Sequence, residues 1–218
     1  MKTNQIKFWQ NNFGKEYTDR NSFEDNNKWE SLYIENWGIT RKEMNKSFIG
    51  NLNKDIKILE VGSNIGLQLN CLQDMGYNQL YGIEIQDYAV EKSKKYTNKI
   101  NIIKDSGFDI PFKDGYFDLV FTSGVLIHIS PNDINRIIDE IIRCSKKYIW
   151  GFEYYSEDYI SINYRGNDDV LWKGDFASLF LQRDNNLKIV KKDLFPYIND
   201  KEKGNVNCMY LIKKNTNE

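Results

Sequence analysis

Glu60, Gly62, Ser63 and Gly66 stand together in ILEVGSNIGLQL (58–69), where an apolar run ends in an acid and opens into a loop with two glycines. Glycine lets that backbone turn tightly and come close to a ligand. A carboxylate at the end of the run accepts a hydrogen bond from an ammonium group. The next apolar run, LYGIEI, closes on Glu84 and Ile85, and an acid there suits a ribose diol. A nicotinamide site spaces its glycines as G-x-G-x-x-G to admit a pyrophosphate at a helix N-terminus. Here Asn64 stands between Ser63 and Ile65 and the loop reads G-x-x-x-G, which better fits a ligand with no pyrophosphate to seat.

His128, in SGVLIHIS, is the sole histidine. An imidazole with a pKa near ~6.5 is suited to take the proton of a reacting hydroxyl. It is equally suited to holding local structure or an acceptor pocket, and both roles stay open. Tyr17, Arg20 and Asn21 lie in FWQNNFGKEYTDRN, and Tyr154, Tyr155, Tyr164, Arg165, Trp172 and Lys173 lie in or beside residues 154–176. Aromatic faces with hydrogen-bonding tips suit a polar small molecule such as a sugar derivative, with Arg165 available for a phosphate or carboxylate. The same residue types also fill half-buried loops for packing. Glu153 is a second candidate base, or a cap for neighbouring backbone amides.

These residues need a scaffold, and the pattern supplies one. From Ile56, short β-branched runs alternate with amphipathic stretches, as in a parallel sheet covered by helices on both faces. Residues 56–61, 80–85, 100–103, 117–123 and 147–153 read as strands. Ser130-Pro131 reads as a helix start, capped by the hydroxyl and followed by Ile134, Ile137, Ile138, Ile141 and Ile142 at helical spacing. The expected organisation is a single domain over 1–218. It has a helical N-terminal cap (1–53), a cofactor-binding core (54–153), a substrate-side insertion (154–176), and a C-terminal helix with an antiparallel hairpin (177–218).

The chain has 30 basic and 31 acidic residues, so its overall charge draws it toward neither nucleic acid nor anionic lipid. Cys71, Cys144 and Cys208 lack the spacing of a zinc site or a disulfide framework and read as buried thiols of a reducing compartment. No apolar run approaches the ~20 residues that span a bilayer, and the polar start has no signal-peptide core. A cytoplasmic protein acting on a small-molecule acceptor, without a metal, is the expectation; the oligomeric state is not readable.

With these residues in view, the segment 58–69 resembles the glycine loop of the seven-stranded, Rossmann-like S-adenosyl-L-methionine (SAM)-dependent methyltransferases. DIPFKDGYFDLVFTSGVLIHIS (109–130), EIIRCSKKYIWGF and the terminal hairpin are similar to that family's later elements. More narrowly, FWQNNFGKEYTDRN, FEYYS and NYRG resemble methylases associated with pseudaminic acid biosynthesis. The resemblance implies SAM as cofactor, its methionyl part near Glu60, Gly62, Ser63 and Gly66, its ribose on Glu84 and its adenine beside Ile85, Ser106 and Gly107. Many members have Asp where Ser106 stands. Ser123 or Gly124 would pass the sulfonium, and the N-terminal segment, with Tyr17 and Asn21, would close over the cofactor. The implied activity is methyl transfer to a hydroxyl of a sugar or nucleotide-sugar type metabolite. A SAM-binding protein without catalysis and a nicotinamide oxidoreductase are the rivals.

Overall fold

The computed structural model describes residues 3–23 and 26–215. Four helices come first: α1 (Asn4–Gln10), α2 (Asn12–Arg20), α3 (Asn26–Trp37) and α4 (Arg41–Ile49). The alternating part follows with β1 (Lys57–Val61), α5 (Leu67–Asp74), β2 (Gln79–Glu84), α6 (Asp87–Tyr96), β3 (Asn101–Lys104) and β4 (Phe117–Ser123). A 3-10 turn (Leu126–His128), α7 (Ile134–Cys144) and β5 (Ser145–Tyr154) complete it. Then come the short β6 (Ile160–Ser161) and β7 (Trp172–Lys173), α8 (Phe176–Arg183), β8 (Leu187–Pro196) and β9 (Val206–Lys214).

Seven strands form one sheet in the order β3-β2-β1-β4-β5-β9-β8. The first five are parallel and β9 runs antiparallel to both of its neighbours, as the terminal hairpin pattern predicts. The strand order reverses beside β1, so the ends of β1 and β4 open a crevice, the place where such sheets bind ligands. Strand alternation feeds two cores. Leu59 and Val61 pack on the face covered by α7 and α8, while Ile58 packs with α4 and α5 on the other. A register shift between Phe117 and Leu119 sends these two residues to opposite faces, although strict alternation would put them on one.

The expected strands fall within two residues of those observed. Helix α7 differs, because it starts at Ile134 and not at Ser130-Pro131. The Ser130 hydroxyl donates to the Asp133 carboxylate at 3.0 Å, and its carbonyl accepts from the amides of Asp133 and Ile134. A closed turn therefore precedes the helix. The insertion also has structure that periodicity did not reveal, since β6 and β7 pair antiparallel within it. Among the described residues no helix is long and apolar enough to cross a membrane, and no group of three or more His, Cys, Asp or Glu side chains could hold a metal ion. All three cysteines are buried free thiols.

Candidate active site

A cavity of about 330 Å³ lies in the crevice, floored by the ends of β1, β2 and β4 and roofed by α1 to α3. The floor is built by backbone conformation. Gly62, Asn64 and Gly66 all have positive φ (76°, 47° and 84°), which coils the loop after β1. Asparagine is among the few side chains that tolerate this region. The amides of Gly62 and Ser63 donate to the Ile83 carbonyl at 2.8 and 3.0 Å, fastening the loop to β2. A Cβ at Gly62 would lie 2.6 Å from a Val125 methyl, so glycine there lets the turn after β4 close on the loop. Gly66 faces Thr97 and Ile102 instead and does not border the cavity. Its role is to dock α5 against β3.

Glu84 is buried at the end of β2 and accepts the amides of Asn64 and Gln86, each at 2.8 Å, so one carboxylate ties two loops together. Burial raises its pKa against those hydrogen bonds. Burial likewise holds Glu60 well above the ordinary carboxylate range, with the Arg41 charge opposing. Glu60 Oε2, Ser63 Oγ, Asn64 Oδ1 and Trp9 Nε1 are buried without a hydrogen-bond partner, and all four residues line the cavity. Buried polar atoms are rarely left so. Three orphans clustered on residues 60–64, beside two acids and a glycine loop, fit a ligand bearing an ammonium group and a ribose. Ile85, Asp105, Ser106, Gly107, Ser123 and Gly124 complete the floor.

His128 borders the cavity and is only 8% exposed. Its Nδ1 lies 2.8 Å from the Val170 carbonyl, an acceptor only, so Nδ1 carries the proton and Nε2 the lone pair. Burial lowers its pKa to about 4, with the Val170 carbonyl opposing, and the ring is neutral at pH 7. Glu153 is fully buried outside the cavity, and its carboxylate accepts from the amides of Val125 and Ile127, the turn that carries His128. Burial pushes its pKa up to about 7. Of the two roles open to Glu153, this is the cap.

The roof comes from the N-terminal helices. Trp9 packs on His128 with ring centroids 4.4 Å apart, and Tyr17 meets Trp9 edge-on at 5.2 Å. Asn21 borders the cavity and donates from its side chain to the Tyr17 carbonyl. Gln86 bonds the carbonyls of Trp9 and Asn11, holding the α1–α2 corner to the floor. On α3, Trp29, Tyr33 and Trp37 recur every fourth residue and touch in series, edge-on at 5.0 Å and then tilted at 5.2 Å, all on the cavity wall. This i, i+4 aromatic stripe was not singled out from the sequence, although its spacing is the signal that could have found it. Arg41 is also new. It is fully buried, with Nε on Asn45 at 2.9 Å, Nη2 on Ser123 at 3.3 Å and its plane 4.4 Å from the Phe152 ring.

The expected acceptor-side residues are not brought together. Tyr154, Tyr155, Tyr164, Arg165 and Lys173 do not border the cavity. Tyr164 comes nearest, with its ring 5.8 Å from both His128 and Phe13. Arg165 is exposed in a tight turn. Tyr154 leans on Tyr197, and Lys173 bonds Asn205 and lies over the Tyr154 ring. The insertion reaches His128 through a backbone carbonyl, that of Val170.

Comparison with known proteins adds independent findings. Residues 59–148 match a family model described as a methyltransferase domain. A comparison with curated proteins finds no match. Among solved structures, the chain resembles the PH0226 protein of Pyrococcus horikoshii, with a TM-score of 0.65, 14% identity, and 91% of this chain and 94% of that one covered. It also resembles a SAM-dependent methyltransferase of Methanosarcina mazei, with a TM-score of 0.61, 18% identity, and 75% and 94% covered. A third is the 1,6-didemethyltoxoflavin-N1-methyltransferase of Burkholderia thailandensis with bound S-adenosylhomocysteine, with a TM-score of 0.64, 11% identity, and 80% and 77% covered. At these identities the likeness is one of fold. The matched stretch runs from within β1 to within β5 and contains the glycine loop, Glu84 and His128, so this part of the chain is a methyltransferase domain, with SAM as its cofactor.

Proposed function

We propose that the protein transfers the methyl group of SAM to a hydroxyl of a polar small molecule of sugar type, bound under α1 to α3, with His128 as general base. The observation that carries this reading is the Nδ1 contact of His128 to the Val170 carbonyl, which leaves Nε2 as a lone pair on the cavity wall. SAM, when bound, supplies a methyl group on a sulfonium, which the acceptor oxygen displaces in line as S-adenosylhomocysteine departs.

The chain's own residues do the rest. Glu60, Ser63 and Asn64 offer unpartnered polar atoms to the methionyl part, and Glu84 offers its remaining lone pairs to the ribose. Arg41, behind Ser123, balances the field of Glu60. The acceptor oxygen bonds to the methyl carbon as the hydroxyl proton passes to Nε2. A pKa of about 4 makes His128 a weak base, yet it keeps the ring in its accepting form at neutral pH. Tyr17, Asn21 and the α3 aromatics exclude water above it. The narrower sequence resemblance, to methylases associated with pseudaminic acid biosynthesis, supports a sugar-type acceptor, as do aromatic faces beside hydrogen-bonding groups.

The test is His128→Ala assayed with labelled SAM against a panel of sugars and nucleotide sugars. It should keep SAM affinity and lose about 100- to 10,000-fold in turnover. Abolished SAM binding, or turnover unchanged with the true acceptor, would remove His128 from this role.

A further inference from the structure

We propose that the acceptor enters this cavity without a phosphate or carboxylate: it is an uncharged or cationic ring molecule that lies on the aromatic wall of α1 and α3. The proposal rests on the reading of the cavity as the acceptor site and narrows it. Among the described residues the charged side chains that line the cavity are Glu60, Glu84 and Asp105, all acids, and no lysine or arginine lines it. With SAM bound, Glu60 and Glu84 face the cofactor, and an anionic acceptor would have to shed water against a lining with no cation in contact. That is the costly arrangement for a buried charge.

The cations that could have answered an anion are engaged elsewhere. Arg41 donates to Ser123 in the floor, but it is fully buried and outside the lining, and its charge is set against that of Glu60. Lys173 bonds Asn205, and Lys192 pairs with Asp175. Arg165 lies over the outer ring of Tyr164 at 5.9 Å. A nucleotide sugar could therefore present at most its sugar to His128, with its diphosphate left outside.

What the wall does offer is ring faces and a buried donor. Trp29, Tyr33 and Trp37 make a continuous run of ring contacts on α3, and Trp9 adds a buried indole N–H without a partner beside His128. A hydroxyl is the group that can accept from that N–H while donating to Nε2 of His128. Aromatic faces bind apolar ring surfaces and attract cations, and they repel anions laid on them.

The experiment uses full-length protein saturated with S-adenosylhomocysteine and three phenols matched in size: tyrosol (uncharged), tyramine (ammonium) and 4-hydroxyphenylacetate (carboxylate). Dissociation constants are read by ligand-observed NMR titration. The carboxylate should bind at least about 10-fold more weakly than tyrosol, the cost of an unpaired anion. Trp37→Ala should weaken tyrosol and tyramine together. Asn36→Arg, which adds a cation to the wall, should favour the carboxylate.

Equal or tighter binding of the carboxylate by the unmodified protein would overturn the proposal. Absence of binding by all three would overturn its claim on ring molecules. Affinity for S-adenosylhomocysteine, measured in the same samples, separates this failure from a failure of the cofactor reading, because only the latter would abolish it.

Discussion

Gly62 in the floor and His128 in the wall make different physical demands. Gly62 must have φ near 76° and must leave space for Val125. Gly62→Val should therefore abolish SAM binding by pushing the β4 turn off the loop, with circular dichroism as the control for folding. A folded variant with normal affinity would show that the loop tolerates the displacement. His128 makes an electrostatic demand, because burial has lowered its pKa to about 4. The acid limb of its contribution to turnover should lie near pH 4 and not near 6.5, and a pH–rate profile with an inflection at 6.5 would show a hydrated imidazole instead. The floor was legible in the sequence because strand, acid and glycine loop are contiguous in the chain. Arg41 was not, because its burial depends on Ser123 and Phe152, which only the fold brings to it.

The N-terminal helices are the element that turns an open crevice into a closed cavity. Gly14 allows α2 to pass so close to α1 that a Cβ there would collide with the Trp9 carbonyl, and Gln86 and Asp19 pin the pair to the floor and to α6. The α1–α2 pair lies outside the sheet and is held to the rest by side-chain contacts such as those of Gln86 and Asp19, so its opening should be easier than global unfolding. Hydrogen exchange with S-adenosylhomocysteine present should slow around Tyr17 and Asn21, whereas equal rates with and without it would mean a fixed cap. Periodicity was enough to read these residues as helical. It could not say that the aromatic stripe of α3 faces the cavity, nor that residues 154–176 give His128 a backbone carbonyl while Tyr154 leans elsewhere. In the sequence Tyr154 shares a strand end with the site, but its side chain goes to Tyr197, a partner from the hairpin.

At the scale of the whole molecule, buried acids make stability depend on pH. The Glu153 pKa is raised from 4.5 to about 7, so the folded protein holds a proton there that the unfolded chain releases. Its contribution is full below pH 4.5 and is lost as pH rises through 7, amounting to roughly 3 kcal/mol. Glu60 and Glu84 act in the same direction, while His128 opposes them between pH 4 and 6.5. Chemical denaturation of the wild type and Glu153→Gln should show the wild type losing ground to the variant from pH 5 to 8. A constant difference would mean that Glu153 is not protonated in the fold. The strands of the main sheet and the terminal hairpin were foreseen from the alternation of runs, because each strand advertises itself locally, whereas the order in which they pair depends on contacts far apart in the chain. The central claim is that this cavity holds SAM through Glu84 and the glycine loop, and calorimetric titration of SAM into the wild type and Glu84→Ala tests it directly. The account predicts one-to-one binding by the wild type, weakened by about 1.5 to 3 kcal/mol in a folded Glu84→Ala variant; no binding by the wild type, or equal affinity in the folded variant, would contradict it.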